Sequence, residues 1–493
     1  MNFCYFSQLW PKQSFSAAHE RTFGIIERFI HNNIKTFYIT PQDKKKAEDI
    51  RQYIDLKCQQ ADPSNTSRVN HVLSRIQTPT VSVFDTHVSE CLYSHYVHQV
   101  FSNCAKVLDL QDLHSLRLKR ETLLTGELMN KEVLKAKPEL GDELTDKEMA
   151  SIIRSDLIIA CSDYEMELIK HLNKKVQLVT FFYPTTRRLD EEDKQAIELK
   201  QHHYKRRHFV FLGNMSHRPN YDAVKRLKDR IWPIIVKALP QAQLHIYGSN
   251  FPAEFKTDEY NGFICKGLMK EIDILGKYRV MLAPLRFGAG VKGKITDAWR
   301  EMLPVITTPI GAEGLFLESS QALKYECVNQ IQSKFYSDME ADRLNPQVRQ
   351  QSLEEENFMR EYYSYDNNTE EMAKKLTFGG SFNNWTDEQF AEEAIKMYED
   401  EQLWLNAIEN SQKILKRRMD TIVNEKLLMK AISETQTNLA SMRRQDILQK
   451  LTWSETLRSN YHFAKYLDEK LIELKIAYIY MCIQKIIISL ILF

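Results

Sequence analysis

The stretch Ala-Pro-Leu-Arg-Phe-Gly-Ala-Gly-Val-Lys-Gly-Lys-Ile-Thr-Asp-Ala-Trp (283–299), followed by Leu-Pro-Val-Ile-Thr-Thr-Pro-Ile-Gly-Ala-Glu-Gly (303–314), decides how this chain folds. An apolar run from Val280 to Pro284 breaks at Gly288-Ala289-Gly290, and a helical pattern follows at once. Ile295, Ala298, Trp299 and Met302 recur at helical spacing and mark the inward face. Lys292 and Lys294 then fall in the first turn, where the helix dipole and the unpaired N–H groups are already positive. An anion at the helix start, most simply a phosphate, makes sense of two lysines in that place. The glycines let the backbone come close to it. The other reading is a tight strand-to-helix turn carrying two solvated lysines.

The rest of the chain bounds this local reading. Its 493 residues imply more than one core. With 43% hydrophobic and 27% charged residues, a soluble globular protein is expected. The formal charge of +1 gives no global drive toward nucleic acid, so an anion site must be local. Eight scattered cysteines form neither a C-x-x-C pair nor a zinc pattern and read as reduced core thiols. The N-terminus lacks the pattern of a secretory leader, so a cytoplasmic location is expected. Ile476 to Phe493 is nearly all apolar, broken by Gln484 and Lys485. A tail anchor, a helix packed on protein and a poorly structured end are the three readings of that segment.

Two halves each alternate short apolar runs with helical patterns, the mark of parallel α/β units. Strands are expected at Thr36–Thr40, Val81–Asp85, Lys106–Leu110, Asp156–Cys161 and Val176–Phe182. After a charged, His-rich joint (Arg187 to Arg207), they are expected at Phe209–Leu212, Gln243–Tyr247, Phe263–Lys266, Val280–Pro284 and Val305–Thr308. Helices are expected over Glu20 to Ile30, over the helix-forming residues Lys44 to Lys57, and from Asn220 to Leu239, the last kinked or split by Pro233. Neither half carries G-x-G-x-x-G after its first strand, which argues against a nicotinamide or flavin enzyme. From Trp385 onward the pattern is helical, and Asp387 opens a stretch with Phe390, Ala394, Met397 and Tyr398 on one side.

Several of these segments resemble the family 4 glycosyltransferases (group 1). Phe-Leu-Gly-Asn-Met-Ser-His-Arg-Pro-Asn (211–220) and Met281 to Leu315 look like the donor-domain opening and the donor-phosphate loop. Val-Leu-Asp-Leu-Gln-Asp-Leu-His-Ser-Leu-Arg (107–117) and Asp-Leu-Ile-Ile-Ala-Cys-Ser-Asp-Tyr-Glu (156–165) resemble acceptor-side segments. The resemblance implies a GT-B fold: two Rossmann-like domains facing across a cleft, here with a C-terminal helical extension. The expected boundaries are 1–190 for the acceptor side, 191–405 for the donor domain with a return helix, and 406–493 for the extension. It also implies transfer of a sugar from a nucleotide diphosphate-sugar co-substrate, with retention at the anomeric carbon and no metal or other cofactor. By motif position Gly288, Ala289 and Gly290 would offer N–H groups, Lys292 and Lys294 cationic contacts, and Arg218 a second basic residue on the phosphates.

The chain departs from the family pattern in places. Many members carry E-x7-E, and here the first position is Ala289 and the second Asp297, which would meet the donor hydroxyls, ribose first. Glu313 is a further carboxylate that would serve the donor, or else a loop carboxylate near a helix start. Ser16-Ala17-Ala18-His19-Glu20-Arg21 replaces the usual glycine-rich loop; Arg21 is there either an anion ligand or a salt-bridge partner. Asp112 and His114 are the acid–base candidates on the acceptor side, with His114 the natural proton acceptor near neutral pH. In the retaining mechanism drawn for the family, the leaving phosphate takes that proton, so no protein nucleophile is assigned. Glu90 and Glu165 are further cleft carboxylates of lesser weight. The acceptor, a carbohydrate, a lipid-linked group or a protein, is not readable, and a membrane contact through 476–493 stays open. The rival readings are a non-catalytic GT-B protein that binds nucleotide-sugars or partners and, less well matched, an epimerase or a phosphorylase of similar build.

Overall fold

The computed structural model describes residues 2–8, 17–42, 56–76, 79–183, 204–315, 378–381 and 384–459. Expectations for 44–55, 187–203 and 476–493, and for Ser16, Cys327 and Cys482, lie outside these residues. Two all-parallel sheets organise the chain. The first holds β1 (Asn2–Phe6), β2 (Lys35–Thr40), β3 (Leu56–Gln60), β4 (Val81–Asp85), β5 (Ala105–Asp109), β6 (Leu157–Ala160) and β7 (Val176–Leu178) in the order β3-β2-β1-β4-β5-β6-β7. The second holds β8 (Arg207–Leu212), β9 (Leu244–Tyr247), β10 (Phe263–Gly267), β11 (Tyr278–Ala283), β12 (Val305–Thr307) and β13 (Gly380–Ser381) in the order β10-β9-β8-β11-β12-β13. Each is a doubly wound sheet whose order reverses beside its first strand, which sets a crevice at the carboxyl ends of the strands.

All ten strands expected from the sequence are present, most of them shifted by one or two residues. The segment expected at Val176–Phe182 is strand only to Leu178. Three strands carried no readable signal. β1 lies inside its sheet, between β2 and β4, with Phe3, Cys4 and Tyr5 fully buried, yet its five residues show no period. β3 takes Leu56 and Lys57 out of the stretch read as helix-forming. It is an edge strand, where polar residues such as Gln59 and Gln60 are tolerated. β13 is two residues long.

The helix after β8 breaks as its proline requires. Arg218–Arg226 is α-helical, Leu227–Ile231 makes a π-turn, and Trp232–Ala238 resumes with Pro233 in its first turn. Proline brings no N–H to the ladder, so the turn before it widens, and Trp232 N–H reaches back to Leu227 O. Asp387–Glu399 begins with a capping box between Thr386 and Gln389 and buries Phe390, Ala394 and Met397.

The two halves are tied together by the last helices. Glu401–Met419 packs Trp404, Ala407 and Ile408 into the core under the second sheet. After Asp420 caps the next turn, Thr421–Gln445 crosses back and buries Leu428, Ala431 and Ile432 with Phe3, Tyr5 and Ile159 of the first half. Asn424 fixes the crossing: its Oδ1 accepts from Thr180 N–H at 3.0 Å, and its Nδ2 donates to Phe181 O at 3.3 Å. A further helix, 447–459, lays Trp453 over Arg154, whose carbonyl accepts from the indole N–H at 3.0 Å. Leu428→Ala is therefore expected to cost about 2–3 kcal/mol through lost burial and a residual cavity. A urea midpoint equal to that of the unaltered chain would show that the crossing helix does not anchor the first half.

Six cysteines are described, and all six are free thiols. Among the described residues no helix is long and apolar enough to cross a membrane.

Candidate functional site

The carboxyl ends of the two sheets meet at the glycine loop after β11. Gly288 (φ 148°) and Gly290 (φ 64°) have backbone conformations that L side chains rarely adopt. A Cβ on Gly290 would lie 2.8 Å from Asp112 Cβ and 2.9 Å from Gln111 O, and one on Gly293 only 2.2 Å from Ala17 Cβ. The close approach that these glycines permit is thus made by the first half of the chain itself. Ala289 packs against the same half's apolar cluster.

The helix Gly293–Arg300 starts where the periodicity put it and buries Ile295, Ala298 and Trp299. Both lysines of its start are drawn inward. Lys292 is 8% exposed; its Nζ donates to Gly290 O at 2.6 Å and lies 3.9 Å from Glu313 Oε2. Lys294 Nζ donates to Asn220 Oδ1 at 2.5 Å and sits 4.2 Å from the centre of the Phe211 ring. Burial pushes the Lys294 ammonium down to about 7 and lowers Lys292 as well. A buried and a half-buried cation with so little opposing charge are costly, and an anion would relieve them. Asp297, on the same helix, is pushed up to about 8 by burial and then by Glu20. Its nearest cation is Arg300, at 3.7 Å.

Across the seam, Asp112 accepts from Arg117 and lies 3.1 Å from His114 Nε2. Burial opposes both charges, yet Arg117 and His114 hold the Asp112 carboxyl well below the carboxylate range, and Asp112 in turn raises His114. Glu148 receives the start of the His114–Thr122 helix, accepting from His114 N–H at 2.8 Å and Ser115 N–H at 3.0 Å. Glu148 Oε1 also lies 3.3 Å from His87 Nδ1. His87, His114 and Glu148 bring their ligand atoms within 4.8 Å of one another, the one group with metal-ligand spacing among the described residues.

Other sequence candidates fall in different surroundings. Arg218 is exposed (78% of its side chain) and pairs with Glu121 of the first half. Glu313 is gripped by Arg120, with both oxygens 2.6 Å from guanidinium nitrogens. Arg21 is the salt-bridge partner of the two readings offered for it: it binds Asp109 at 2.7 Å and donates to Val179 O and Thr180 O. Glu90 pairs with Arg154 at the 447–459 helix and is not brought to the glycine loop.

Two residues gain weight from the structure. Arg120, fully buried, also donates to Gly288 O at 2.8 Å, so one first-half guanidinium holds both the glycine loop and the loop after β12. Sequence reasoning missed it. Glu165, read as a minor carboxylate, reaches Gly290 N–H at 2.8 Å and Leu113 N–H at 3.0 Å.

Comparison with known proteins bears on the fold and on the second half of the chain. Residues 206–328 match the family model described as Glycosyl transferases group 1. No curated protein matches the chain in sequence. Solved structures similar to it include Anabaena Alr3699/HepE in complex with UDP-glucose (12% identity, TM-score 0.53), covering 88% of this chain and 100% of that one. A variant of S. aureus TarM, in complex with Fondaparinux, alpha-GlcNAc-glycerol and UDP, is 7% identical with TM-score 0.55, covering 87% of this chain and 99% of that one. Sucrose-phosphate synthase from Thermosynechococcus elongatus is 11% identical with TM-score 0.55, covering 88% and 98% respectively. The shared architecture is GT-B, two Rossmann-like units with their strand ends facing across a cleft.

Proposed function

We propose that this chain is a glycosyltransferase that moves a sugar from a nucleoside diphosphate-sugar to an acceptor, with retention at the anomeric carbon. The observation that carries the reading is the pair of inward-turned lysines, Lys292 buried and Lys294 half-buried, at the helix start beside Gly288–Gly290, set in the seam between two Rossmann-like units. Departure of a nucleoside diphosphate leaves negative charge on the bridging oxygen, and preorganised cations in a desolvated site lower that barrier. Lys294, followed by Lys292, takes this role, and the loop N–H groups and the exposed Arg218 add to it. Asp297, whose carboxyl keeps its proton near neutrality, both donates to and accepts from ribose hydroxyls. His114, oriented by Asp112, lines the acceptor side and orients the attacking hydroxyl. In a retaining transfer the proton of that hydroxyl passes to the leaving phosphate oxygen.

A uridine nucleotide is the first donor to test, because the HepE and TarM structures hold one. The chain is expected to release free nucleoside diphosphate from one member of a panel of UDP-, GDP- and ADP-sugars when given an acceptor extract. Binding of a nucleotide-sugar without any release would favour the non-catalytic reading. Neither binding nor release across the panel would remove glycosyl transfer altogether.

A further inference from the structure

Glu165 enters the seam with one carboxylate oxygen used and the other idle. Oε1 accepts from Leu113 N–H at 3.0 Å and Gly290 N–H at 2.8 Å, which joins the loop after β5 to the glycine loop. Oε2 is buried and has no hydrogen-bond partner. A buried acceptor without a donor bears its full desolvation cost, so the structure leaves a bond to be made at this atom. Lys292 on the same loop does not make it: its Nζ is turned to Gly290 O, and Oε2 stays without a partner. Arg120 does not make it either, since its guanidinium grips Glu313 and Gly288 O. A donor from a bound ligand would complete it, and on a sugar the abundant donors are hydroxyls.

We propose that Glu165 Oε2 accepts a hydroxyl of the sugar attached to the diphosphate held at Gly288–Lys294, so that a first-half carboxylate takes part in selecting the sugar. This rests on the glycosyl-transfer reading above. Glu165 belongs to the first half and Gly290 to the second, so the bond between them lies on the path by which parting the halves would admit a ligand. Its unmade bond disfavours the empty closed state and favours closure around a hydroxylated ligand.

The test compares the unaltered chain with Glu165→Gln, which keeps an oxygen for the two N–H groups and replaces the idle oxygen with an amide that cannot accept as a carboxylate does. Binding is measured by calorimetry for the nucleoside diphosphate alone, for its hexose conjugate, and for analogues lacking one hydroxyl at a time. The diphosphate alone should bind both proteins alike, while the hexose conjugate should bind the variant about 10- to 100-fold more weakly. One deoxy analogue should already bind the unaltered chain weakly and lose nothing further in the variant. Glu165→Asp, which keeps the charge but retracts it, should follow the same pattern and guards against a folding defect peculiar to glutamine. Equal losses for the bare diphosphate and the conjugate would reduce Glu165 to a structural latch and overturn the inference, as would no loss for either. If the unaltered chain binds no nucleoside diphosphate, the underlying reading fails as well, and that is seen without any variant.

Discussion

Lys294→Ala is expected to lower kcat/KM for the nucleotide-sugar by about 10²- to 10³-fold, the usual effect of removing one preorganised group that meets developing negative charge. The side chain is well placed for this. Asn220 Oδ1 holds its Nζ at 2.5 Å, and the Phe211 ring packs beneath it at 4.2 Å, so the cation is fixed before any ligand arrives. Steady-state rates of nucleoside diphosphate release give the number. The pH dependence gives a second, independent readout. Burial pushes the free ammonium down to about 7, so in the ligand-free protein the charged form dominates only below that pH. kcat/KM, which reports the free protein, should fall as pH rises through about 7. A bound diphosphate favours the ammonium, so the same limb in kcat should lie at higher pH. Lys294→Ala should lose that limb. An alanine variant with unchanged kcat/KM and unchanged pH profile would remove Lys294 from the site.

This lysine was legible in the sequence because periodicity is a local signal. Ile295, Ala298 and Trp299 fix the inward face of an eight-residue helix, and the position of both lysines follows. The strands of both sheets were legible for the same reason, being short apolar runs between helical stretches. β1 was not, because its identity as an inner strand depends on β2 and β4, which pair with it from elsewhere in the chain. Arg120 was hidden more deeply. It ends the run Arg117-Leu118-Lys119-Arg120, which reads as a solvated helical face. Its burial is decided by Gly288 and Glu313, which are 168 and 193 residues away. Long-range pairing of charges leaves no period and no motif. The glycines were half legible: their need for close approach could be read, but not that the first half of the chain is among what approaches them.

Arg120→Leu follows from that hidden pairing and carries the largest expected effect on stability. The substitution leaves Glu313, 12% exposed, without its bidentate partner, and strips Gly288 O of its donor. Removing one member of a buried ion pair costs about 3–5 kcal/mol, because the remaining charge stays desolvated. The interaction joins the two halves, so part of that cost can be escaped by letting them part. The variant should therefore show a lower thermal midpoint and, below that midpoint, a larger radius of gyration by small-angle X-ray scattering. Replacing both partners, Arg120→Leu with Glu313→Leu, leaves no orphaned charge and should recover most of the lost midpoint. Recovery of the midpoint without recovery of turnover would separate the two roles: an apolar pair can hold the seam shut, but it cannot grip Gly288 O and so cannot fix the loop that receives the diphosphate. A single variant as stable and as compact as the unaltered chain would mean that the Arg120–Glu313 contact does not hold the halves together.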